Sequence, residues 1–153
     1  MRNALPWQYN DGGRKAAGFK GEAGDCLARA IAIAADVPYR DAYTLINEEA
    51  QGERTQRGRT GRLAATRRGS SARTGVYKGT AKRVLQSLGW RFVATMGIGT
   101  GCTVHLAQGE LPMGRIIASV SRHFVAVVDG VLLDTDDPSR DGTRCVYGYW
   151  TQA

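Results

Sequence analysis

Three residue types in this chain could together build an activated thiol. They are a cysteine at the start of an apolar helix, a histidine on a strand, and acids across a turn from that histidine. Cys26 lies in Gly24-Asp25-Cys26-Leu27-Ala28-Arg29-Ala30-Ile31-Ala32. Leu27, Ile31 and Ala34 recur at helical spacing with Ala30 beside them, and Asp25 is a good N-cap, so Cys26 reads as the first residue of a buried helix. Free N–H groups and the helix dipole at that position favour a thiolate. His123 opens the strand-like run His123-Phe124-Val125-Ala126-Val127-Val128; Asp129-Gly130 is a two-residue hairpin signal, and Val131-Leu132-Leu133-Asp134 is the return strand. Pairing around that turn sets Val125 against Asp134 and His123 against Asp136, and alternation puts His123, Asp134 and Asp136 on one side of the sheet. Direct opposition favours Asp136 and the diagonal favours Asp134, so both stand as partners for the imidazole.

The chemistry follows from the groups. A free thiol is only a few per cent thiolate at neutral pH and needs a base or a shifted pKa. His123 in contact with Cys26 would form a thiolate–imidazolium pair, and an acid would hold the ring tautomer and stabilise its charge. Such a pair attacks an acyl carbon, and water or an amine resolves the thioester. An isolated cysteine on an apolar helix is ordinarily a small core residue; its place at the helix start, with His and acids downstream, sets Cys26 apart.

The order Cys, His, Asp, with Cys on an early helix and the others on a late hairpin, resembles the papain-like cysteine peptidase superfamily and, within it, the bacterial and phage C39-like branch. Gly24-Asp25-Cys26, His123-Phe124-Val125-Ala126-Val127 and Asp134-Thr135-Asp136-Asp137-Pro138 carry the likeness. It implies Cys26 as nucleophile, His123 as general base and acid, and Asp134 or Asp136 as the orienting group. It also implies a cysteine hydrolase or acyl transferase, peptidase first, with deamidase open, and no cofactor. Papain-like enzymes usually place a Gln about six residues before the Cys to bind the oxyanion; here that position is Lys20, with Gln8 and Asn10 further upstream. The Cys26 backbone N–H is a donor in any case.

The remaining elements must position these groups. Helices are expected from Cys26 to about Ala35, from Arg40 to Ala50, and from Ala81 to Leu88 behind a Thr80 cap; strands at 90–94, 115–120, the hairpin and 144–151 follow. Helices first and an antiparallel sheet last give an α+β domain spanning 1–153, which the resemblance implies is papain-like, with a basic Gly/Arg-rich insertion at about 51–79. Trp90 and Trp150 read as core, and Trp7 as core or as a pin for an otherwise irregular N-terminal arm.

Residues 51–86 hold ten basic side chains and one acid, Glu53, a local net of +9 in a chain of net +7. Glycines and serines make the first part of this segment read as a mobile loop. A solvated loop is one reading of it; in a papain-like fold its arginines, Arg54, Arg57, Arg59, Arg62, Arg67 and Arg68, would border the cleft and select an acidic protein or peptide substrate. With no aromatic between Arg54 and Arg73, base stacking is absent and nucleic acid is the weaker partner. The rival classes are a non-catalytic binding module using this loop, and a phage structural or virion component.

Cys102 and His105 have a C-x-x-H spacing, but no second pair completes a zinc set, so no metal is expected. Cys145 reads as sheet lining and His105 as surface. Three cysteines, an odd number, argue against a disulfide scaffold and for a reducing compartment. Met1–Asn10 lacks the apolar core of a signal peptide and no run approaches a membrane span. The expected location is the cytoplasm of a bacterium or a phage-infected host, without a membrane partner.

Overall fold

The Asp129-Gly130 pair organises the centre of the sheet. Both residues have positive φ, 48° and 79°, which a tight hairpin turn requires and which Asp and Gly tolerate best. The computed structural model describes residues 3–21, 23–55, 58–66 and 69–152. In chain order the elements are β1 (Trp7–Tyr9), α1 (Cys26–Ala34), α2 (Tyr39–Ala50), α3 (Arg59–Thr66), α4 (Lys78–Ser87), β2 (Trp90–Ala94), β3 (Arg115–Val120), β4 (His123–Val128), β5 (Val131–Asp134) and β6 (Gly148–Gln152). The fold is α+β, and its six-stranded sheet runs β1-β5-β4-β3-β6-β2. The hairpin has the expected register, with Val128 opposite Val131 and Val127 opposite Leu132.

The sheet is mixed, not purely antiparallel. β1 runs parallel to β5, with Trp7 opposite Leu132 and Tyr9 opposite Asp134. Three exposed residues joined to a strand more than a hundred positions away leave no periodicity to read. Trp7 is 41% exposed and so is not core; its indole N–H donates to the Asp134 carbonyl at 3.1 Å and pins the arm. Trp90 and Trp150 are buried as expected.

Both faces of the central strands are covered, which is why β3 and β4 read as nearly continuous apolar runs. On one face Leu27 and Ile31 of α1, Ile46 of α2 and Leu85 of α4 pack with Ile117, Ala126 and Trp150. On the other, Ile116, Val125, Val127 and Leu132 lie under Leu5, Leu106 and Val146 from non-helical segments. The alanines of α1 let that helix bury almost every residue against β4 and its neighbours. Among the described residues no helix is long and apolar enough to cross a membrane.

The basic segment differs most from expectation. Instead of a loop it forms a short 3-10 turn (Glu53–Thr55) and then α3. Glu53 is buried: its carboxylate accepts hydrogen bonds from the Ser70 N–H (2.9 Å), the Ser70 hydroxyl and the Thr80 hydroxyl (2.9 Å). The one acid of the segment therefore ties together points 27 residues apart. Thr80 is thereby committed to Glu53, and α4 starts earlier, at Lys78. Gly79 permits the close crossing of α3 and α4, since a Cβ there would collide with the Thr60 hydroxyl.

Candidate active site

Cys26 is the first residue of α1, as its sequence context requires. Asp25 does not cap the helix through its side chain. Its carboxylate is buried and taken up otherwise: the Tyr39 hydroxyl donates to it at 2.6 Å, Arg29 Nε donates at 3.1 Å, and Arg14 Nε lies at 3.3 Å. Burial and the bond to Asp25 push the Tyr39 hydroxyl well above its ordinary pKa, so it stays a donor.

His123 and Asp134 stand at the same end of adjacent strands, and His123 Nε2 lies 2.6 Å from Asp134 Oδ2. This decides between the two acids. Asp134 is buried, whereas Asp136 is exposed beyond the end of β5. The hairpin keeps the expected register, but its pairing stops at Ala126 and Leu133 and β5 ends at Asp134, so the diagonal acid meets the ring and the directly opposed one lies exposed. The other Asp134 oxygen, Oδ1, accepts from Arg29 Nη1 at 2.6 Å and from the Thr135 N–H at 2.7 Å.

Arg29 is the residue that sequence reasoning missed. It reaches Asp25, Asp134 and the Thr135 hydroxyl (3.0 Å) at once, so it ties the Cys26 helix to the acid that holds His123. Its signal was available: it is the sole charged residue within the apolar run of α1, one helical turn beyond Cys26 and hence on the same face.

The electrostatics follow. Burial lowers the His123 pKa, but hydrogen bonds and charge from Asp134 and Cys26 outweigh it and raise the ring to about 9. Burial would raise the Asp134 carboxyl; the bond and charge of His123, the Thr135 N–H and Arg29 instead hold it below its ordinary value. With Nε2 engaged by Asp134, Nδ1 is the nitrogen available to Cys26.

Cys26 and His123 line a cleft of about 420 Å³, walled by Gly24, Ser71, Ala72, Thr74, Gly75, Val76 and Phe124. Gly24 donates its N–H to the Arg73 carbonyl at 2.7 Å, which seats the 71–76 wall beside the thiol. None of Gln8, Asn10 or Lys20 lines this cleft. Gln8 is on β1 opposite Leu133, Asn10 accepts the Gly12 N–H at 2.8 Å, and Lys20 borders a separate depression with Asp11 and Arg14. The donors at hand are the first N–H groups of α1, which precede the helix's opening bond from the Arg29 N–H to the Asp25 carbonyl.

A larger groove of about 1230 Å³ continues from the cleft through Val76, Lys78 and Arg122, which line both. Arg59, Lys82 and Arg83 complete its basic lining, and among the described residues no carboxylate lines it. Of the expected arginines Arg59 is in this groove, whereas Arg54 and Arg62 are exposed elsewhere. Arg57, Arg67 and Arg68 lie outside the described residues.

The other cysteines correct a second expectation. Cys102 and Cys145 form a disulfide across 43 residues, and His105 is buried rather than on the surface. The pairing comes from the backbone: His105 bridges to Cys145, which places the two segments side by side. Comparison with protein-family models, with curated proteins and with solved structures finds no match to this chain.

Proposed function

We propose that this protein is a cysteine-dependent hydrolase or acyl transferase of papain-like, C39-like architecture that acts on amide bonds, peptide bonds foremost. The observation that carries the reading is the 2.6 Å contact of His123 Nε2 with buried Asp134, which leaves the other ring nitrogen for Cys26 inside a cleft. The Cys26 thiolate attacks the acyl carbon, and the oxyanion forms against the free N–H groups at the start of α1. His123 delivers its proton to the departing amine. Water, deprotonated by the same ring, then breaks the thioester. Asp134 stays ionised and keeps the imidazolium oriented.

The basic groove supports an acidic substrate segment flanking the scissile bond. It also favours a second reading, a binding module in which the groove holds a polyanion and the thiol is idle.

Alkylation by iodoacetamide separates the two. Native Cys26 should react about tenfold faster than Cys26 in His123→Ala, because the imidazolium holds the thiol ionised. Peptides rich in Asp and Glu should be cleaved by wild type and not by Cys26→Ala. Equal alkylation rates and no cleaved or acyl-trapped product, together with salt-sensitive binding of nucleic acid, would replace the enzyme by the binding module.

A further inference from the structure

Away from the Cys26 cleft, the pair Cys102–Cys145 sits beside a second imidazole. His105 Nε2 lies 3.4 Å from Cys102 Sγ, and His105 Nδ1 lies 3.0 Å from Glu110 Oε1. The same carboxylate oxygen accepts the His105 N–H at 3.1 Å. A carboxylate on Nδ1 keeps the hydrogen there and leaves Nε2 as the acceptor that faces sulfur. His105 is 8% exposed while Cys102 is exposed, so the base is fixed and the sulfur is within reach of solvent. This differs from an inert structural bridge, which is buried among apolar groups.

Backbone hydrogen bonds join the same two segments beside the bridge. The Leu106 N–H donates to the Arg144 carbonyl at 3.0 Å, and the Val146 N–H donates to the Val104 carbonyl at 2.8 Å. These bonds do not involve the sulfurs, and the Cα atoms, 5.8 Å apart, have a spacing that suits a disulfide.

We propose that Cys102, Cys145 and His105, with Glu110 orienting the ring, form a dithiol–disulfide centre that exchanges with low-molecular-weight disulfides and thiols. In the oxidising direction the Cys102 proton passes to His105 Nε2, and the Cys102 thiolate attacks one sulfur of a small disulfide RS–SR. A Cys102–S–S–R bond forms and RS⁻ leaves. The Cys145 thiolate then attacks Cys102 Sγ, the protein disulfide forms, and a second RS⁻ leaves. Two protons, one relayed by His105, complete two RSH. The protein dithiol loses two electrons and the small disulfide gains them.

The test uses the full chain, reduced, freed of reductant and exposed to oxidised glutathione, then acid-quenched, alkylated and mapped by peptide so that Cys26 is read separately. Wild type should re-form the Cys102–Cys145 bridge. Cys145→Ser should accumulate a glutathione adduct on Cys102, and adding His105→Gln should slow that adduct by about tenfold. Glu110→Gln, which keeps the imidazole, should slow it to a lesser degree and carries the test if the histidine variant fails to fold by circular dichroism. An adduct on Cys102 that forms no faster than in the urea-unfolded chain would overturn the proposal. So would a reduced protein that retains one zinc per chain and protects both thiols from alkylation.

Discussion

Replacing Arg29 by Met tests whether the site is built as described. Met keeps much of the side-chain volume and removes only the charge and its donors. Arg29 is nearly enclosed, with 12% of its side chain exposed, and it faces Asp25 and Asp134, whose side chains are 4% and 6% exposed. Asp25 keeps the Tyr39 hydroxyl and Arg14, so its loss is cushioned. Asp134 keeps His123 and the Thr135 N–H but loses its 2.6 Å ion pair. Removing one partner from a buried pair costs about 3–5 kcal/mol; with Asp25 cushioned, the lower end applies, about 3 kcal/mol. For a chain of this size that is a fall in Tm of about 6–12 °C. The loss should also depend on pH with a definite sign. The Asp134 pKa is held low in the folded state, so its contribution is present above the ordinary carboxylate value and disappears as pH falls through the folded value. Arg29→Met should therefore move the acid limb of stability to higher pH. Urea unfolding from pH 3 to 7 measures both effects. A loss below about 1 kcal/mol with an unmoved acid limb would mean that Arg29 is not what couples α1 to the acid.

The two acids are separable, since Asp134→Asn should abolish turnover and slow Cys26 alkylation, whereas exposed Asp136→Asn should leave both within twofold (about the scatter of a surface change). The His123 ring should titrate near pH 9 by NMR: its raised pKa adds stability that is full below the unfolded value of about 6.5 and is lost as pH rises through 9, with activity falling along the same limb. A midpoint near 6.5 would contradict the Asp134 and Cys26 contacts. Glu53→Leu should destabilise by about 2–3 kcal/mol in urea unfolding, because it strands the donors of Ser70 and Thr80; a neutral result would mean that the tie is not needed.

What could be read from the chain was local. α1 showed itself through Leu27 and Ile31, and the hairpin through Asp129-Gly130, whose positive φ values admit few other residue pairs. Those two elements carry Cys26, His123 and Asp134. What escaped was settled between distant segments. β1 exists because β5 offers it an edge, α3 because Thr60 and Ala64 find buried places, and the Cys102–Cys145 bond because two strand-like segments meet. Reading Gly and Arg composition as a loop failed at α3, and counting cysteines failed because one of the three has a different task. The choice of Asp134 over Asp136 needed the point at which strand pairing stops, and terminal residues are the least legible part of any element.

The distance along the chain between the thiol and its partners has a temporal meaning. Cys26 leaves the ribosome roughly a hundred residues ahead of His123, a delay of about 5–20 s at ordinary synthesis rates. Until the hairpin forms and Asp134 meets Arg29, His123 is not held in the cleft that Cys26 lines. β1 adds a further condition, since it can dock only after β5 exists, and its contacts are held by the Asp134 backbone carbonyl. In a nascent or proteolytically shortened chain Cys26 is thus an ordinary thiol, and on the proposed reading a rise in its reactivity above that level serves as a clock for the completion of folding.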